Sequence, residues 1–506
     1  MEHAWSEAIL LESIGTHEKV SATLWRRDSY SLDHAFWILL SLACIPCVFT
    51  LIEGGRLVAF PYANCRTEAF ILNGVQSVAL HKPLYPPFGQ MPYLIRVYNP
   101  LTYLPAGLAG WFLGLDLRGM LLVGRLVSYL SSLLLGLLLF VWIWRYAGDW
   151  KPGVLAAMGI FYFHEAALSE FFRLRPESPA LLFTFAGVAA FLSKHRLRLF
   201  VAAFLFLIAF LFKQSFIAAP ISAGLFLILS KDYKDALRFS LAMVAMLLLF
   251  FLAMYCLTGA NYFYHTIVSL AVNDIDIVRM FLIFRRFLIE TLYGLILSLP
   301  VALALLIIQR RCYFLILYFA VSLFWTFFSL GKHGASYNYF GELTIISLVI
   351  VAVATVPQTR RSIIAVALIL FLLCFQMYST LLGHHGIRGE EIAAETRDLG
   401  PDIERYKTLP GRKLIVEEMI AVYVGDVVGL DWVLLDDLEK KGLIDLSPLY
   451  RQIAEGEYAV CAFGSPFPAP LEGKMLGMVV KGPYRFTRST GGIMEFRRLE
   501  KPPEGD

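Results

Sequence analysis

The sequence predicts a mainly α-helical membrane protein: a bundle of about eleven transmembrane spans with juxtamembrane helices and a small C-terminal α/β domain. Of the 506 residues, 58% are hydrophobic and only 17% are charged, whereas a soluble domain is about half apolar and about a quarter charged. Apolar runs close to the roughly 20 residues that cross a bilayer recur as far as Leu381. Beyond Leu381 the chain becomes charged and is punctuated by Pro and Gly.

The apolar runs define the predicted spans. Segment 99–116 is also apolar, but it contains Pro100, Pro105 and three glycines, and we predict that it does not cross fully. The predicted spans are 35–52, 119–143, 152–168, 178–193, 198–213, 216–230, 238–257, 287–308, 312–328, 341–357 and 362–381.

Basic residues orient the spans, because cytoplasmic loops carry an excess of Lys and Arg. If segment 99–116 does not cross, six basic clusters share one side, with the N-terminus in the cytoplasm and the C-terminus outside. If it crosses, there are twelve spans, and the N-terminus with Arg26 and Arg27 moves outside. The eleven-span topology is therefore preferred. The clusters are Arg26 and Arg27, Arg145 and Lys151, 194–198, 231–238, Arg310 and Arg311, and Arg360 and Arg361.

This topology predicts a cytoplasmic segment 1–34, a transmembrane domain 35–384 with a large outer loop 53–118, and an extracytoplasmic domain 385–506. Long loops on one face of a helical scaffold commonly carry function. The net charge of +4 gives no indication of a nucleic-acid partner. The apolar runs make the lipid bilayer the expected surrounding. In the C-terminal domain, the predicted strands are 413–416 and 458–462, and the predicted helices are 392–406 and 446–455.

The outer loop 53–118 contains a candidate catalytic acid. Arg66, Thr67 and Glu68 precede segment 69–80, whose apolar residues recur at helical spacing, which predicts an amphipathic helix on the membrane surface. Such a helix holds Glu68 at the lipid–water boundary, where an ionisable residue is a functional candidate. The alternative interpretation is structural, since the helix dipole favours an acid in the first turn.

The other outer segments contain several cations and a second acid. A lysine at the membrane boundary can bind a phosphate or simply extend its charge to water. An Arg-Pro-Glu at a span entry can close its loop as an ion pair, or face an anionic substrate or a metal. We find no HExxH motif, Walker loop or GxGxxG after a strand, which argues against a nucleotide-driven pump. The candidate residues are Lys82, Arg175, Glu177, Lys213, Lys332, His333 and Asn338.

The order of these motifs resembles the GT-C superfamily of membrane glycosyltransferases, which includes the protein O-mannosyltransferases and the lipid A aminoarabinose transferase. The resemblance covers residues 35–360. The chain departs from the family pattern at Thr67, where the first acid of a pair is missing, and at Glu177, where Asp is more common. The matching motifs are Thr67-Glu68, His81-Lys82, Tyr98-Asn99-Pro100-Leu101, Arg175 through Pro179, Phe212-Lys213-Gln214, and Gly331-Lys332 through Asn338-Tyr339-Phe340.

The resemblance implies a bacterial inner-membrane enzyme that transfers a sugar from a polyprenyl-phosphate carrier to a lipid, glycan or protein acceptor, with inversion at the anomeric carbon. It implies that Glu68 is the general base and that Glu177 is a candidate ligand of a divalent metal ion. The residues that it assigns to substrate or phosphate binding are Lys82, Arg175, Lys213, Lys332, His333 and Asn338.

Two other functions stay open at this point. The first is a transporter or flippase of lipid-linked or anionic substrates, which would show internal repeats and broken helices near the midplane. No clear repeat is present, and the polar clusters lie at one face. The second is a non-catalytic envelope scaffold on a degenerate glycosyltransferase fold, an interpretation that the missing acid at Thr67 supports.

Overall fold

The fold is known from a computed structural model. It describes residues 21–162, 171–290, 293–332, 335, 337–356, 364–375, 398–464, 470–490 and 493–499. The chain forms two compact units. Unit 1 comprises Met1–Ala59, Arg125–Phe251 and Ile275–Glu391, and unit 2 comprises Phe60–Gly124, Leu252–Asp274 and Ile392–Asp506.

Unit 1 is built from apolar helices. Two long helices, Leu117–Ala147 and Tyr233–Thr258, have residues in both units. The helices that lie wholly in unit 1 are Ser21–Ala59, Trp150–Tyr162, Glu177–Phe191, Arg198–Phe212, Ala218–Leu229, Ile277–Glu290, Tyr293–Ile308, Tyr313–Ser329, Gly341–Ala354 and Ile364–Phe375.

Three of the described helices are long and apolar enough to cross a membrane unaided: Phe36–Ala59, Leu117–Ala147 and Tyr233–Thr258. The other apolar helices have 10–17 residues, so the count of eleven spans stays a prediction. In segment 99–116 the structure has a short 3₁₀ turn and the ten-residue helix Leu104–Leu113. At about 1.5 Å per residue this helix rises about 15 Å, half of the roughly 30 Å hydrocarbon core. It is too short to cross alone.

The helix Gly341–Ala354 lies at the centre of unit 1. All of its residues are buried, as expected for a helix that is apolar on every side. The 3₁₀ turn Tyr337–Phe340 leads directly into it. Polar side chains on this turn and at the helix start are therefore held inside the unit.

Unit 2 combines residues 60–124, the helical segment 261–271 and the C-terminal residues. The predicted surface helix is present as Arg66–Ala79, followed by Pro100–Thr102 and Leu104–Leu113. Segment 261–271 includes a π-helical turn, Tyr264–Val268. The C-terminal helices are Gly400–Thr408, Glu418–Val424, Trp432–Lys440, Ser447–Ala454 and Pro470–Lys481.

The C-terminal strands form one four-stranded sheet in the order β1-β2-β4-β3. Strand β1 pairs with β2 in parallel, and the other pairs are antiparallel. Strands β1 and β2 and the helix Ser447–Ala454 match the predicted elements closely, whereas of the predicted helix 392–406 only the part from Gly400 lies within the described residues. The strands are Lys413–Ile415 (β1), Val460–Phe463 (β2), Tyr484–Thr490 (β3) and Ile493–Arg498 (β4).

The hydrophobic core of this sheet includes residues from segment 60–124. Tyr93 and Ile95 are buried in the same cluster as Trp432 and Phe463. The Tyr93 backbone N–H donates to the Val428 carbonyl at 3.0 Å, and its hydroxyl donates to a second carbonyl in the C-terminal segment. The compact unit therefore extends beyond residues 385–506, and the predicted domain boundaries stay a prediction.

Candidate active site

Unit 1 brings three of the predicted site residues together. Glu177 begins the helix Glu177–Phe191, Lys213 follows the last residue of Arg198–Phe212, and Asn338 lies on the turn before the central helix. The Lys213 Nζ donates to Glu177 Oε1 at 2.6 Å, and the Asn338 Nδ2 donates to the same oxygen at 2.8 Å. These three residues are called the Glu177 cluster.

Local sequence explains these positions. An acid in the first turn of a helix is favoured by the helix dipole and by unpaired backbone N–H groups. Lys213 has extended backbone angles, φ −148° and ψ 121°, at the point where the chain leaves its helix. The ammonium group is thereby separated from the apolar helix face and reaches the carboxylate. The Tyr339 ring lies 4.8 Å from the same ammonium and adds a cation–π contact.

The two charged residues of the Glu177 cluster are buried, and Asn338 is half-buried. Glu177 is 2% exposed and Lys213 is 5% exposed. Burying two charges is costly unless they are paired and hydrogen-bonded. Glu177 Oε1 has two donors, whereas its buried Oε2 has no hydrogen-bond partner within the described ranges. That oxygen is a buried acceptor that a substrate hydroxyl or a bound water could satisfy.

Two further predicted cations lie in unit 1. Arg175 is two residues before Glu177 and interacts favourably with its carboxylate. Lys332 is half-buried, and burial lowers its pKa. In the part of the chain that the structure describes, no hydrogen bond or ion pair joins Lys332 to the Glu177 cluster. His333 lies outside the described residues.

Sequence reasoning missed a second buried carboxylate, Glu342, in unit 1. Glu342 Oε1 accepts from the Tyr318 hydroxyl at 2.7 Å and from the Ala219 backbone N–H at 3.2 Å. Glu342 stands four residues after Asn338, so both side chains point to one face of the helical segment. That four-residue spacing is the sequence signal that could have indicated it.

Glu68 lies in unit 2, in the first turn of the helix Arg66–Ala79. It is completely buried, and its Oε2 accepts from the Asn64 backbone N–H at 3.0 Å. Glu68 is therefore enclosed by protein, and its position at the lipid–water boundary stays a prediction. The helix packs its N-terminal half inside the unit, and the carboxylate satisfies a backbone donor just ahead of the helix. Lys82 follows the same helix and is exposed.

Arg66, at the start of this helix, is ion-paired to two glutamates of the C-terminal segment. Its Nη1 lies 3.2 Å from Glu472 Oε1, and its Nε lies 3.4 Å from Glu418 Oε2. Burial raises the pKa of Glu418 to about 8, Arg66 opposes this rise, and Glu417 adds to it. These contacts fix the N-terminal turn that carries Glu68.

The surroundings of Glu177 do not fit a metal ion held by protein side chains. One oxygen of this carboxylate accepts hydrogen bonds from the Lys213 ammonium and the Asn338 amide N–H. The ammonium repels a cation, and the amide N–H offers it no lone pair. Among the described residues, no group of three or more His, Cys, Asp or Glu side chains could hold a metal ion. We therefore derive no chemical step through a metal.

Comparison with known proteins addresses the fold. No protein-family model matches the chain, and no curated protein matches it. The structure is similar to ArnT from Cupriavidus metallidurans bound to undecaprenyl phosphate, with a TM-score of 0.61 and 11% identity, over 91% of this chain and 97% of that chain. The apo structure of the same ArnT gives a TM-score of 0.58 and 12% identity, over 89% of this chain and 98% of that one. At this identity the likeness establishes the fold alone: the chain has the fold of these ArnT structures, which agrees with the fold that the sequence resemblance implies.

Proposed function

We propose that this protein is a membrane glycosyltransferase that moves a sugar from a polyprenyl-phosphate carrier to an envelope acceptor, at the outer face of the bacterial inner membrane. The buried Glu177 cluster in an ArnT-like fold carries the proposal, because it combines a cation with an unsatisfied carboxylate oxygen. The similar ArnT structure is bound to undecaprenyl phosphate, a polyprenyl carrier. A lipid, a glycan or a protein could be the acceptor.

In the proposed reaction an acceptor hydroxyl attacks the anomeric carbon of the sugar. A new carbon–oxygen bond forms as the bond between the anomeric carbon and the carrier phosphate breaks, with inversion. Glu68 takes the hydroxyl proton as general base, a role worth roughly 10²–10⁴-fold in rate. Lys213 and Arg175 stabilise the negative charge that develops on the departing phosphate. Glu177 holds Lys213 in place, and Asn338 donates a hydrogen bond to Glu177. Lys82, Lys332 and His333 are proposed to bind the carrier phosphate.

The experiment is transfer by the purified protein in proteoliposomes supplied with polyprenyl-phosphate sugars and envelope lipid extract. We expect sugar to pass from the carrier to an acceptor, and Glu68→Gln to lower turnover by at least 100-fold while the protein stays folded. Glu404→Gln is the matched control, since Glu404 is an exposed acid paired with Lys407 at 3.5 Å. Wild-type turnover by the Glu68→Gln protein would refute the role of Glu68.

One observation favours a second candidate, the non-catalytic scaffold. The single acid Glu68 already accepts a backbone hydrogen bond and is buried, and Thr67 replaces the first acid of the family pair. A folded wild-type protein that binds a polyprenyl-phosphate sugar without transferring or hydrolysing it would support the scaffold and exclude the transferase.

A further inference from the structure

We infer that the C-terminal sheet of unit 2 carries a phosphate-binding surface, separate from the proposed transfer chemistry. Four arginines form it: Arg405 on the helix Gly400–Thr408, Arg485 and Arg488 on β3, and Arg497 on β4. We call this set the arginine surface. Its ligand class is a phosphate group, either on a lipid headgroup or free in solution.

The strand register places two of these arginines directly opposite each other. Strands β3 and β4 are antiparallel, and Arg485 faces Arg497 across the pair. Both side chains are exposed. Directly opposed residues have Cβ atoms about 4.5–5.5 Å apart, and like charges in that position destabilise the pair. An anion between the two guanidinium groups would convert this repulsion into attraction.

A buried carboxylate orients three of the four arginines. Glu495 is 0% exposed and lies opposite Arg488 in the register. Its carboxylate is 2.7 Å from Arg405 Nη2, 3.0 Å from Arg497 Nε and 3.5 Å from Arg488 Nε. Asp402 adds a weaker contact to Arg488 at 3.6 Å. These contacts fix the guanidinium groups before any ligand arrives, which lowers the entropic cost of binding.

The charges of the arginine surface do not balance. Four guanidinium groups share two carboxylates, Glu495 and Asp402. Across the described ranges, no ion pair or side-chain hydrogen bond involves Arg485, and its side chain is exposed. Donors therefore remain for a ligand. The guanidinium fork matches phosphate oxygens in pairs, and paired Arg–phosphate hydrogen bonds are among the stronger ones in proteins.

The position of the surface points to a rigid site. Arg485, Arg488 and Arg497 lie on sheet strands, where side-chain direction is set by the backbone more strongly than on a loop. Strand β3 is the edge of the sheet, so a bulky molecule that carries a phosphate can approach from one side. An open surface of this kind is accessible both to a phosphate on a lipid headgroup and to a free phosphate ion.

The test uses the full-length protein in detergent. Thermal unfolding and thermophoresis are measured with inorganic phosphate, with dihexanoyl phosphatidic acid, and with dihexanoyl phosphatidylcholine as the zwitterionic control, all at one ionic strength. We expect phosphatidic acid to raise the melting temperature and to bind saturably. The double variant Arg485→Gln with Arg497→Gln should bind at least tenfold more weakly, because charge-assisted hydrogen bonds are lost.

Two controls separate a site from general attraction. Arg412→Gln removes one charge from the same domain, at a residue paired with Glu457 at 3.0 Å, and should change affinity less than twofold. Arg485→Lys with Arg497→Lys keeps the charge and should recover part of the binding. Inorganic phosphate that binds as well as phosphatidic acid identifies a free-anion site, whereas binding of phosphatidic acid alone identifies a lipid headgroup site.

The inference is overturned if neither phosphate probe binds the wild-type protein, or if Arg412→Gln weakens binding as much as the double glutamine variant. Transfer activity is not the readout. A protein that fails as a transferase can still bind phosphate here, and an active transferase can fail this test.

Discussion

The Lys213–Glu177 ion pair gives a prediction whose size can be worked out from its burial. The Lys213 side chain is 6% exposed, the Glu177 side chain is 3% exposed, and the two charges are 2.6 Å apart. Glu177→Gln leaves a buried ammonium without its counter-charge, and Lys213→Met leaves a buried carboxylate. Each single change should cost about 3–5 kcal/mol of unfolding free energy, the usual cost of breaking a buried pair.

The double variant distinguishes stabilisation by the ion pair from a general intolerance of this site to substitution. Glu177→Gln with Lys213→Met removes both charges and keeps similar volume, so it should be more stable than either single variant. The coupling between the two positions should exceed about 1 kcal/mol. Lys407→Met is the control, because the exposed pair with Glu404 contributes at most about 1 kcal/mol. Unfolding is followed in detergent by tryptophan fluorescence during titration with SDS.

The result that refutes this reasoning is additivity. If the double variant loses the sum of the two single losses, the charges do not stabilise each other. The same proteins test function separately: both single variants and the double variant should lose sugar transfer, even where the double variant has recovered its stability. If the double variant regains sugar transfer together with its stability, the Glu177 cluster has no part in the proposed mechanism.

Three further predictions concern unit 2. Burial lowers the pKa of His265 from 6.5 to about 4, so the neutral ring stabilises the fold above pH 6.5. About 3 kcal/mol should be lost as the pH falls toward 4, and His265→Gln should flatten the pH dependence of unfolding. Gly74→Ala should cost about 1–3 kcal/mol in thermal unfolding, because its Cβ would lie 2.5 Å from the Tyr103 ring; Gly224→Ala, which meets nothing within 4 Å, is the control. Burial raises the pKa of Glu418 from 4.5 to about 8, so this group stabilises the fold fully below pH 4.5 and the contribution is lost as the pH rises to 8. Glu418→Gln should therefore reduce the loss of stability measured between about pH 5 and 8.

Local pattern was sufficient to predict much of the secondary structure. The helix Arg66–Ala79 and strand β1 follow from apolar spacing and alternation over a few residues. The pairing of Glu177 with Lys213 also had a sequence signal, since both stand at helix ends on the predicted outer face. At a helix end, a charged side chain lies next to backbone groups that lack hydrogen-bond partners. A buried charge at that position is costly unless an opposite charge pairs with it.

Other features depend on contacts between distant segments, which local pattern does not encode. Nothing in residues 91–97 indicates that Tyr93 and Ile95 belong to the same core as Trp432. The burial of Glu68 likewise depends on the packing around its helix, because an amphipathic sequence can rest on lipid or on protein. The arginine surface is visible only in the register, since Arg485 and Arg497 are neighbours across strands and not along the chain.

The two buried acids of unit 1 have different roles, and their partners show why. Both acids are associated with the start of the central helix: Asn338, on the turn before it, contacts Glu177, and Glu342 lies in its first turn. Glu342 accepts a hydrogen bond from the Tyr318 hydroxyl and another from the Ala219 backbone N–H, in the first turn of the helix Ala218–Leu229. These contacts join three helices without any cation. Glu177 instead has a cation on one oxygen and no partner on the other within the described residues.

A carboxylate that only joins helices gains nothing from a buried lysine, whose desolvation is costly. The lysine is useful where a negative charge arrives or develops, and of these two acids Glu177 is therefore the one placed to act on a substrate.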